Sequence, residues 1–138
     1  MADGVVLDTD VASQSIRGRL PTWLAKGLAG RTMFVTFVTV GELMKWAEVY
    51  HWGIRKRTVL VEWLGRTVIL PYDPRVAYQW GSLSGAAQER GRPRPQNDTW
   101  VAACCLVEDL PLATLNVKDY EDFVEHHGLR LVQDDEVS

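Results

Sequence analysis

Gly4-Val-Val-Leu-Asp-Thr-Asp10 reads as a short strand whose three consecutive apolar side chains run straight into an acid. An unbroken apolar run, rather than an alternating one, marks a strand covered on both faces, the signature of a parallel sheet. Four more segments fit that sheet. Residues 33–37 are β-branched and aromatic, 68–70 end at Pro71, and 112–115 and 129–132 are short apolar runs. Helices are expected between them over 11–17, 21–30, 39–50, 54–65, 74–90, 97–107 and 118–126. The spacing of Leu43, Trp46, Ala47 and Tyr50 supports one of these, and Val59, Leu60, Trp63 and Leu64 support another. Gly91-Arg-Pro-Arg-Pro95 must be a loop. Strand and helix alternate throughout, which predicts an α/β fold.

At 138 residues the chain is expected to form one domain over 1–133, with an acidic tail over 134–138. That length buries enough surface to fold without a disulfide or metal staple. The 46% hydrophobic and 24% charged residues are ordinary for a globular protein, and 11 Gly with 6 Pro exclude collagen-like and low-complexity classes. No apolar run is long enough to span a membrane, and the acidic start does not read as a signal peptide. Cys104 and Cys105 are adjacent, a poor geometry for bridging, so they read as reduced core side chains of a cytoplasmic protein. The net charge of −3 includes Asp134, Asp135 and Glu136 in the tail, so it does not exclude a polyanionic partner.

The acids fall at one place in this plan. Asp8 ends the first strand, and Glu42 lies in the first turn of the helix after the second. Asp98 opens the helix after the Arg/Pro loop, while Asn116 and Asp119 follow the fourth strand. In an open parallel sheet such junctions lie together outside the carboxyl ends of the strands. Each acid also has a purely architectural reading as a cap, and Thr39-Val-Gly-Glu42 matches a capping box. Together they are harder to dismiss, because gathered carboxylates repel one another unless a cation joins them. Oxygen ligands without His or Cys select Mg²⁺, with Mn²⁺ as a substitute.

Leu7-Asp-Thr-Asp10, Thr39-Val-Gly-Glu-Leu43, Asn97-Asp-Thr-Trp-Val-Ala-Ala103 and Thr114-Leu-Asn-Val-Lys-Asp-Tyr120, in this order, resemble the PIN-domain ribonucleases. More closely they resemble the VapC-type toxins of bacterial toxin–antitoxin pairs. The resemblance covers the whole chain. It implies a PIN-like three-layer fold, a central mostly parallel sheet of about five strands covered by helices on both faces. It implies Mg²⁺-dependent endonucleolytic cleavage of RNA, a cognate VapB-type antitoxin and a homodimer. Asp8, Glu42, Asp98 and Asp119 are then the catalytic and metal-binding set, with Asp10 and Asn116 as polar contacts to water or substrate.

Among the basic residues, Arg92 and Arg94 stand directly before Asp98, where they are expected to hold RNA phosphates. Trp46, Tyr50, Trp52 and Trp63 fall on the helix pair over 39–65, where they read either as core or as an exposed groove for a partner; the resemblance to VapC-type toxins implies antitoxin docking there. Two alternatives stay open. Asp8-Thr-Asp10 also resembles the opening motif of haloacid-dehalogenase-like phosphatases, with Asp8 as nucleophile, although the late acidic motif of that family is missing. The other is an inactive PIN-like module that binds RNA or protein.

Overall fold

Every strand that pairs does so in parallel, as the unbroken apolar runs require. The computed structural model describes residues 3–134; the tail reading falls outside the described residues from 135 onward. In chain order the elements are β1 (Gly4–Leu7), α1 (Thr9–Ile16), α2 (Thr22–Leu28), β2 (Thr32–Thr36), α3 (Phe37–Val49) and α4 (Ile54–Leu64). They continue with β3 (Val68–Leu70), α5 (Pro74–Glu89), α6 (Gln96–Glu108), β4 (Leu112–Ala113) and α7 (Val117–His127). The sheet order is β3-β2-β1-β4. Among the described residues no helix is long and apolar enough to cross a membrane.

Side chains of β1 alternate between two cores, which is how a wholly buried strand makes three layers. Val6 packs with Val76, Leu83, Val101, Tyr120 and Phe123 of α5, α6 and α7. Val5 and Leu7 pack on the other face with Val11, Leu24, Leu43, Leu60 and Trp63 of α1 to α4. β1 begins on a glycine because a Cβ there would meet Leu110 and Phe34 at 2.9 Å.

Two expectations need correction. The sheet has four strands, not about five: Leu131 makes only an isolated parallel bridge to Leu112. The left-handed Gly128 turns the chain out of α7, and β4 itself lasts two residues before Thr114 bends into the site, so a longer ladder has nothing to pair with. Helix α3 starts at Phe37, immediately after β2, because the Thr36 hydroxyl accepts from Thr39 N at 3.2 Å. The capping box at Thr39 therefore does not form, and Glu42 sits in the second turn rather than the first.

Helices α3 and α4 are tied by Arg57. Its Nε donates to Trp52 O at 2.7 Å, Nη2 to Ala47 O at 2.9 Å, and Nη1 to Glu48 at 3.1 Å. These bonds add a second donor to Ala47 O, which already accepts from Trp52 N at 2.9 Å, and hold the turn carbonyl of Trp52.

Candidate active site

Asp8 sits where β1 gives way to α1, 8% exposed and heavily hydrogen-bonded. Its Oδ1 accepts from Thr9 N at 2.9 Å and from the Tyr120 hydroxyl at 3.1 Å, and Oδ2 accepts from the Thr114 hydroxyl at 2.8 Å. A buried carboxylate survives only with such partners. The Tyr120 hydroxyl also lies 3.4 Å from Oδ1 of Asp98, in the first turn of α6. Tyr120 is itself buried and its proton is held far more tightly than usual, by burial first and then by the charges of Asp8 and Asp98. It is a permanent donor whose single proton can serve one carboxylate at a time, Asp8 at 3.1 Å being the nearer and Asp98 at 3.4 Å the farther.

Asp10 faces the same strand ends. Its Oδ1 accepts from Val11 N at 2.7 Å, and Oδ2 accepts from Leu115 N at 3.1 Å and Asn116 Nδ2 at 2.8 Å. Asn116 and Asp10 therefore lock together, joining α1 to the turn after β4. Glu42 reaches in from α3 and accepts the Thr9 hydroxyl proton at 2.7 Å. A hydroxyl has one proton, so in the 2.9 Å contact between Thr9 and Thr39 it is Thr39 that donates. The relay runs Thr39 to Thr9 to Glu42.

Electrostatics report the convergence. Burial pushes the Asp98 carboxyl up to about 6, and the charges of Asp8, Asp119 and Glu42 add to it. Burial and then Asp8 raise Asp10 to about 6 as well. Among the described residues none of Asp8, Asp10, Glu42, Asp98 and Asp119 has an ion-pair partner. Nor do any three His, Cys, Asp or Glu side chains there already converge as a metal cage. The donor set suits a hard cation that keeps most of its waters and takes one or two carboxylates, which is how Mg²⁺ is usually held. Asp8 Oδ2 and the carboxylate of Asp98 retain free lone pairs for that purpose.

The other expected residues are dispersed. Arg94 is half-buried, its Nη2 donating to Asp119 O at 3.3 Å, so it fastens the loop to the first turn of α7. Arg92 stays exposed. Tyr50 is exposed, and Trp46 and Trp52 are half-buried against the α1–α4 core, Lys56 Nζ lying 4.1 Å from the Trp52 ring centre. Trp63 is a correction: at 4% exposure it is a core residue whose Nε1 donates to Ser15, with almost no surface left for a partner. Sequence reasoning gave no role to Tyr120, Thr114 and Thr9 and read Thr39 only as a cap, although Thr9 and Tyr120 each stand next to an acid it singled out.

Comparison with known proteins agrees with this geometry. Residues 5–123 match the family model of the PIN domain. A protein named ribonuclease VapC2 from Haemophilus influenzae is 30% identical over 118 residues, covering 84% of this chain and 89% of that protein. The structure of VapBC2 from Rickettsia felis, bound to a DNA fragment from its promoter, superposes with a TM-score of 0.80 at 19% identity, covering 93% of this chain and 96% of that one. VapBC-1 from nontypeable H. influenzae gives a TM-score of 0.80 at 23% identity, with coverages of 95% and 97%. The chain belongs to the PIN-domain family, in its VapC branch.

Proposed function

We propose that this chain is a Mg²⁺-dependent endoribonuclease and the toxin half of a toxin–antitoxin pair, held off by a VapB-type partner and acting as a homodimer. The observation that carries the reading is the set of acids without ion-pair partners at the carboxyl edge, with Asp98 pushed up to about 6. The ribonuclease name of the 30% identical relative and the VapBC composition of the superposing structures support it. Family membership displaces the phosphatase alternative.

Asp8 and Asp98 would hold Mg²⁺ or Mn²⁺, with Glu42 and Asp119 completing the acidic set. When bound, the ion supplies charge neutralisation and lowers the pKa of the attacking water. Tyr120 keeps Asp8 and Asp98 facing one another, and Thr9 fixes the Glu42 carboxylate so that its second oxygen is free to orient water. Arg92 and the terminal guanidinium nitrogens of Arg94 would take RNA phosphates. Water adds to phosphorus as the bond to the 3′ oxygen breaks, leaving a 5′-phosphate and a 3′-hydroxyl.

Induced expression with transcriptome-wide mapping of new 5′-phosphate ends tests this. Growth arrest and discrete new ends are expected for the wild type and absent for Asp98→Asn. Equal arrest from both would refute the role of Asp98.

A further inference from the structure

Helices α3 and α6 meet beside the acids, leaving a groove of about 330 Å³ between them. Phe37 and Trp100 form its aromatic wall, with their rings edge-on at 6.0 Å and Trp100 stacked on Trp80 at 5.1 Å. Gly41, Glu42 and Lys45 line it from α3, and Asn97 lines it from α6. Glu42 thus borders both the groove and the acidic site, and Asn97 directly precedes Asp98.

Two features leave the groove open to a ligand. Gly41 is an interior residue of α3, where glycine is among the poorest helix formers, yet a Cβ there would meet nothing within 4 Å. Alanine would be tolerated and would help the helix, so the missing side chain leaves space rather than relieving a clash. Among the described residues the Asn97 amide has no hydrogen-bond partner and Lys45 no carboxylate. An aromatic wall, a free amide and a free ammonium are what an unpaired nucleobase and its phosphate require. The polar rim and the modest volume favour one planar base over a helix or strand of a protein partner.

We propose that the α3–α6 groove is a subsite for one unpaired RNA base flanking the scissile phosphate. This rests on the nuclease reading above and adds what selects the cut position. The base packs against Phe37 and Trp100, Asn97 reads its edge, and Lys45 holds the neighbouring phosphate.

The test uses short single-stranded RNAs carrying 2-aminopurine at successive positions, bound to the full chain carrying Asp98→Asn. Quenching is expected at one position beside the cut. Gly41→Leu in the same background should abolish that quenching and weaken binding about tenfold. Lys45→Gln should weaken binding while leaving the quenching in place. In the active chain, Gly41→Leu should raise KM more than it lowers kcat and shift the base preference beside the cut. A thermal midpoint at or above wild type certifies that Gly41→Leu folds. Quenching and base preference that survive Gly41→Leu, while the chain still cuts RNA, would overturn the groove alone. A wild-type chain that neither binds nor cuts RNA would overturn both readings. If Gly41→Leu disrupts self-association by sedimentation and leaves RNA binding intact, the groove is a protein contact and the proposal falls.

Discussion

Acids gather at both edges of the same sheet, and the two edges treat them differently. At the amino edge Asp3, Glu108 and Asp109 line a cavity of about 480 Å³. There Glu108 lies 3.5 Å from Arg75 and Asp109 lies 3.1 Å from Arg130, while Arg31 binds the carbonyls of Asp3 and Gly4. At the carboxyl edge Asp8, Asp10, Glu42, Asp98 and Asp119 have no cationic partner among the described residues. The amino edge has the larger cavity of the two, so volume does not mark the chemistry. What marks it is uncompensated charge, because partly buried carboxylates that repel one another and have no cation of their own are where an outside cation gains most.

The largest effect that tests this contrast is on cleavage. Asp98→Asn is expected to lower single-turnover RNA cleavage on the order of a thousandfold, since several kcal/mol of transition-state stabilisation go with the ion. Asp109→Asn should leave the rate unchanged; a comparable loss there would break the distinction between the edges. Next in size is the response to Mg²⁺. At a hundredfold excess over Kd the wild type should gain about 2.7 kcal/mol of stability by calorimetry. Asp109→Asn should keep that gain, and Asp8→Asn should lose most of it.

A sharper cut is Tyr120→Phe, which keeps the ring and removes only the hydroxyl that stands between Asp8 and Asp98. Mn²⁺ affinity, read by paramagnetic resonance, should fall about tenfold or more. An unchanged affinity would reduce the hydroxyl to packing. The smallest effect is the pH dependence of the metal-free chain. Asp10 and Asp98 titrate near 6 in the folded chain against an ordinary 3.8. Folding therefore raises their proton affinity. The stability they contribute is complete below 3.8 and is lost as pH rises through 6. The metal-free midpoint should climb modestly between pH 7 and pH 5, by about 1 kcal/mol or less for such half-exposed groups. Mg²⁺ should suppress the climb. Asp122 runs the other way: burial opposes it, but Arg90 holds it below its usual range, so its contribution fades as pH falls further.

The layer plan was legible because the apolar runs of β1 and β4 and the strand–helix alternation admit few other arrangements. The acids were legible because each stands at a strand end or near a helix start. What surrounds them was not. Tyr120 and Thr114 meet Asp8 across separations of 112 and 106 residues, and no local pattern encodes such a pairing. Phe37 continues the strand pattern of β2, yet the Thr36 hydroxyl turns it into the first residue of a helix with no loop between. For Trp63, the periodicity with Leu60 and Leu64 identifies a face, but not whether the chain itself or a partner covers that face.

The grip of Arg57 on the end of α3 has a dynamic consequence. One side chain of α4 satisfies Ala47 O, the Trp52 carbonyl and Glu48, so neither helix end frays without releasing the other. Amide protons in the last turn of α3 and in α4 from Arg57 onward, where its backbone bonds begin, should exchange with solvent at one shared rate, as a single opening unit.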